Sequence, residues 1–179
     1  MNFNTLLLVP FVIFGVMLMS CNQSTETKTG EDQKTFENPF EYCKAVENID
    51  IPGSEYIGPK LPESISGKLR KDMGISDTMP ADMFNDGTSW RCMDGKVYAC
   101  NVGANLPCQE KANVSKEPND GMLNYCGDNP DAKTIPMYAT GHTTVYEWKC
   151  DNGNPEIVKQ IAETDKAGYI KDIWYEIKP

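Results

Sequence analysis

His142 is the sole histidine of the chain, so any Ser-His or Cys-His nucleophilic system would have to be built on its imidazole. No serine sits in a Gly-x-Ser-x-Gly elbow, and a strand histidine bonded to a neighbour is the commoner reading. Carboxylates are plentiful, with 26 acidic residues. Glycosidase chemistry needs two of them about 5 to 9.5 Å apart, a separation no sequence displays. The acidic turns at residues 128–131 and 151–154 lack the calcium-loop spacing with its closing Glu. Gly67-Lys68-Leu69 lacks the first glycine and the Ser or Thr of a phosphate loop. Lys68, Arg70 and Lys71 read as one solvated helix face. No catalytic motif, metal set or cofactor signature emerges. A hydrolase using His142 or a carboxylate pair is the alternative to a binding protein.

The cysteines carry more information. There are seven, an odd number. Zinc ligands come in close pairs, whereas the tightest spacings here are those of Cys92, Cys100 and Cys108. Cys43, Cys92, Cys100, Cys108, Cys126 and Cys150 therefore read as three disulfides formed in an oxidising compartment. Cys21 is left over, and its surroundings explain it. Residues 6–19 form an uncharged run dominated by Leu, Val, Ile, Phe and Met. That run suits a signal peptide better than a membrane span of about 20 residues.

Leu18-Met19-Ser20-Cys21 resembles the lipobox of bacterial lipoproteins, a Leu, a variable residue, a small residue and Cys. The resemblance implies cleavage before Cys21, a diacylglyceryl on its sulfur and a further acyl chain such as palmitate on the new amine. Two chains or more suffice for stable anchoring. The resemblance thus implies residues 1–20 as a signal peptide and a lipoprotein tethered to a bacterial membrane, facing the periplasm or the cell surface. The net charge of -9 repels phosphate backbones and anionic headgroups, so nucleic acid is an unsuitable partner.

Residues 22–35 are polar throughout and cannot offset their ordering entropy. Residues 21–37 are therefore expected to be a lipidated flexible tether, and 38–179 a disulfide-stapled globule. Asn38-Pro39 reads as an N-cap with proline at the first helical position. Ile65, Leu69 and Met73 recur every four residues in a helix over 62–73, closed by Gly74. Asp94-Gly95 joins two strands in a tight hairpin, with Cys92 and Cys100 on opposite faces. Residues 119–126 suit a short helix, 135–150 an extended strand or two, and 157–164 and 169–177 further strands. The expected fold class is α+β, short N-terminal helices packed on a mainly antiparallel sheet of hairpins.

If 135–150 is extended, Tyr138, His142, Tyr146 and Trp148 share a face with Thr140, Thr144 and Cys150. Such a strip suits an envelope protein or glycan, or else it faces the core. Trp90-Arg91-Cys92-Met93-Asp94-Gly95 also echoes Trp148-Lys149-Cys150-Asp151-Asn152-Gly153. No longer match is visible, so the echo reads as one turn solution used twice. If equivalent strands lie side by side, Cys92 pairs with Cys150, and Cys100–Cys108 and Cys43–Cys126 follow by elimination.

Overall fold

The structure is a computed structural model that describes residues 34–76, 78–101, 103 and 108–179. The expectations for residues 1–20, for Cys21 and for the tether up to residue 33 lie outside these.

Helix α1 spans Pro39–Val46, and the Asn38 side chain accepts from the Phe40 and Glu41 amides at 2.9 and 3.3 Å. This cap satisfies two of the donors that every helix start leaves open. Phe36 joins the globule just ahead of it, bridged to Tyr56. Helix α2 runs over Glu63–Asp72, with Ile65 and Leu69 fully buried one turn apart. Burying each contributes about 2 kcal/mol. A short helix that the sequence reading missed, α3, covers Ala81–Asp86. Strands β1 (Thr88–Met93) and β2 (Lys96–Asn101) pair antiparallel around Asp94-Gly95, as expected. Helix α4 covers Asp120–Asp128 and is capped by Asn119, whose side chain accepts from the Met122 amide at 2.8 Å.

Residues 135–150 depart from the expected strand. Pro136 opens a four-residue helix, α5, at Met137–Thr140, and Gly141 turns the chain at φ 88°. Only Tyr146–Asp151 is extended, as β3, paired antiparallel with β4 at Asn154–Gln160. A proline without an amide donor followed by a left-handed glycine explains why the alternation fails. The last strand is also shorter than expected. One 3-10 turn at Lys171–Ile173 precedes β5, Tyr175–Ile177, which pairs with β2. The fold is α+β, with sheets β1-β2-β5 and β3-β4 both antiparallel.

Three disulfides form, Cys43–Cys92, Cys100–Cys108 and Cys126–Cys150. The Cys100–Cys108 expectation is met, whereas Cys92–Cys150 and Cys43–Cys126 are not. The two hairpins lie in separate sheets, so Cys92 and Cys150 each bridge to a helix instead, to Cys43 of α1 and Cys126 of α4.

Those two bridges reveal a repeat longer than the six-residue echo. In each copy an Asn-capped helix ends its buried face in Tyr-Cys, Tyr42-Cys43 and then Tyr125-Cys126. A short helix follows, opened by Pro80 or Pro136 and closed by Gly87 or Gly141. A hairpin then carries Trp-basic-Cys into a turn with two positive-φ residues, Asp94-Gly95 and Asn152-Gly153. The hydrogen bonds coincide as well. The Gly95 and Gly153 amides donate to Glu47 and Pro130, each four residues beyond the helix cysteine. The Cys92 and Cys150 amides donate to Ile49 and Ala132, each six beyond it. Matched bonds at matched offsets mark a duplicated helix–helix–hairpin unit.

Candidate functional site

The first copy carries a long insertion between its helix cysteine and its second helix. Its loop at residues 50–61 and the C-terminal segment border a cavity of about 530 Å³ beside β1. That volume falls within the usual range for small-molecule sites, about 300–1,000 Å³.

The aromatic walls are fixed from behind. Trp90 leaves β1 buried, and its indole donates to the Lys60 carbonyl at 2.8 Å. Tyr56 meets Trp90 edge-on with ring centroids 4.9 Å apart, and Tyr42 supports both from α1. The Tyr42 hydroxyl accepts from the Gly53 amide at 2.8 Å, which ties the loop to that helix. Gly58 is required by a close approach. A Cβ there would stand 2.4 Å from the Tyr56 hydroxyl and 2.5 Å from the Glu37 carbonyl oxygen. Burial raises the Tyr56 phenol above its ordinary pKa, and its hydroxyl has no partner among the described residues.

The opposite wall is Tyr169 and Trp174, whose rings meet edge-on at 5.5 Å. The Arg91 guanidinium lies 4.4 and 4.3 Å from their centroids and pairs with Asp165. Lys111 sits 3.9 Å over Tyr169 and bonds Asp50 at 2.5 Å. Burial alone would lower its ammonium, but hydrogen bonds with Asp50 and Tyr169 carry it above its ordinary value. The Trp174 indole N–H is buried and has no acceptor among the described residues. Most buried polar groups are bonded, so each unbonded one calls for a reason.

Polar groups rim the cavity. Asn85 and Asp86 stand at the end of α3, Asp50 in the inserted loop, and Gln109 bonds Ser89 at 3.2 Å. The lining holds no imidazole, and its cysteine, Cys108, is in a disulfide. This arrangement can hold and orient a ligand, but it offers no imidazole or thiolate as base or nucleophile. A second cavity of about 560 Å³ shares Trp174 and is otherwise bordered largely by charged side chains. Several of these are already ion-paired, Lys166 with Asp94 and Glu176 with Lys96, both at 2.8 Å.

The residues expected from sequence lie elsewhere. Tyr138 is 79% exposed on α5, edge-on to Tyr125. His142 is exposed in the following turn, lines neither cavity, and makes no hydrogen bond or ion pair with the described residues. Tyr146 is half-buried against Trp148, which is itself buried with its indole toward the Thr144 hydroxyl at 3.4 Å. The helix and the glycine turn interrupt the face these four were expected to share. Tyr56, Trp90, Tyr169 and Trp174 escaped sequence reading because they converge from segments far apart in the chain. The signal that could have found them was the Pro- and Gly-rich loop after α1, long for a mere connection. Among the described residues no cluster of His, Cys, Asp and Glu is placed to hold a metal, and no helix is long and apolar enough to cross a membrane.

Comparison of the chain with protein-family models, with curated proteins and with solved structures found no match.

Proposed function

We propose that this chain is an exported lipoprotein, anchored to a bacterial membrane through acyl chains on Cys21, whose globule is a non-enzymatic binder in the cell envelope. The binding half of this reading rests on one observation. A ligand-sized cavity is lined by Tyr56, Leu61, Trp90 and Trp174 and rimmed by Asn85, Asp86 and Gln109, and its lining lacks an imidazole or a free thiol.

The anchoring half is supported by parity. Of seven cysteines, six pair among themselves, which leaves Cys21 as the odd thiol at the end of an apolar run. The test uses the full-length chain expressed in a bacterium and fed an alkyne-tagged palmitate. Label should enter the protein, disappear in Cys21→Ser, and leave a new amino terminus at residue 21. Native protein that still joins Ser20 to an unmodified Cys21 would refute the anchor. Binding is tested with envelope extract, where wild type should retain a component that Asn85→Ala does not.

A further inference from the structure

The duplication inside the chain separates scaffold from addition. The second copy needs only residues 133–135 to pass from the Ala132 carbonyl to the cap of its second helix, whereas the first copy uses 50–79. The cavity lies where that insertion and the segment following β4, neither of which the repeated unit requires, meet α3 and β1. The additions complete the core, through Ile65 and Leu69 of α2 and Ile177 of β5, and they also close a pocket against α3 and β1. We propose, resting on the binder reading above, that this pocket takes an uncharged saccharide.

Three features select that chemistry. The lining is mainly apolar, with Tyr56, Leu61, Trp90 and Trp174 giving it surface for the C–H face of a sugar ring. Asp86 and Asn85 stand at the rim to accept from hydroxyls and, through the amide, to donate to them. A ligand with several hydroxyls meets donors and acceptors together, and a hydrocarbon does not. The third feature is charge. Asp50 is neutralised by Lys111, and Asp86 shares the rim with one cation, Lys60. A rim so balanced attracts neither a phosphate nor a polyamine, and the net charge of -9 adds repulsion for anions at longer range.

The experiment titrates full-length protein in detergent with cellobiose, maltose and N,N′-diacetylchitobiose, read by tryptophan fluorescence and calorimetry. Glucuronic acid serves as the charged control, and a capped neutral tripeptide as the peptide control. At least one neutral disaccharide is expected to bind. Asn85→Ala removes a rim amide and should weaken binding about five- to tenfold. Asp86→Asn, on the exposed rim, should weaken it while leaving the melting temperature unchanged. Silence from every saccharide while envelope extract still yields a component lost in Asn85→Ala overturns the saccharide but leaves the binder reading standing. Silence from both overturns both. Glucuronic acid binding as tightly as the neutral sugars, or the tripeptide binding in their place, also overturns the assignment.

Discussion

Arg91 and Asp165 form a buried ion pair that ties β1 to the turn leading into the C-terminal wall of the cavity, with side chains 0% and 5% exposed. The same carboxylate accepts from the Ala167 and Tyr169 amides at 2.8 and 3.1 Å, so one group closes the turn and holds the guanidinium. At the equivalent place in the second copy, Lys149 meets Glu156 at 3.2 Å on the surface. Removing one member of a buried pair strands the other. Asp165→Ala is therefore expected to cost about 3–5 kcal/mol, against less than about 1 kcal/mol for Lys149→Ala. Urea unfolding of the two variants checks this, and equal losses would refute it.

The disulfides should differ in worth. They close loops with sequence separations of 49, 24 and 8 for Cys43–Cys92, Cys126–Cys150 and Cys100–Cys108. Loop-closure entropy then assigns them about 4, 3.5 and 2.5 kcal/mol, respectively. Double Cys→Ala variants unfolded in urea should rank in that order. Losing the Cys100–Cys108 bridge most heavily would mean the bridges act on the native state instead.

What the sequence made legible was local. The caps at Asn38 and Asn119, the Asp94-Gly95 turn and the Ile65–Leu69 stripe each depend on residues within a turn of one another. Disulfide pairing depends on which elements meet, and strand parity could only separate Cys92 from Cys100. The likeness of Trp90-Arg91-Cys92 to Trp148-Lys149-Cys150 is visible in the sequence as one turn solution used twice, and only the Cys92–Cys150 pairing assumed that the two strands lie side by side. The two segments are equivalent because each sits in its own copy of the unit. The aromatic strip failed at Pro136 and Gly141, two residues whose backbone preferences outweigh alternation. Trp90 and Trp174 could not be joined from sequence, because the segment carrying Trp174 docks through long-range ties, among them the Arg91–Asp165 and Lys166–Asp94 ion pairs and the pairing of β5 with β2.

Acid should loosen one tie between β2 and β5. The hydrogen bond from Lys96 is the chief cause that holds the Glu176 carboxyl below its ordinary 4.5, against a smaller opposing effect of burial. The same bond raises Lys96 above its ordinary 10.5. A depressed carboxyl stabilises above its unfolded value and loses that contribution as pH falls through its folded one. A raised ammonium stabilises below its unfolded value and loses its share as pH climbs through the folded one. The stability gap between wild type and Glu176→Gln should stay flat between 4.5 and 10.5 and narrow on either side. Melting curves across pH read it directly, and a gap that widens in acid would contradict the sign.

The equivalence of the two copies can be tested at its turn glycines. Gly95 and Gly153 have φ of 72° and 80°, and each follows a residue already at positive φ, Asp94 or Asn152. This is the paired left-handed conformation that matches hairpin twist and favours Asp-Gly and Asn-Gly. A Cβ on Gly95 would meet the Cys43 carbonyl oxygen at 4.0 Å, and one on Gly153 the Cys126 carbonyl oxygen at 3.9 Å. Both are ordinary contacts, so crowding adds nothing and only backbone strain remains. That strain is about 1–2 kcal/mol, of which the smaller entropy of an unfolded alanine recovers part. Gly95→Ala and Gly153→Ala should each lower stability by about 1 kcal/mol, and by the same amount. Chemical denaturation of the two variants decides it, since unequal losses would show that the helix cysteines and their turns are not held alike.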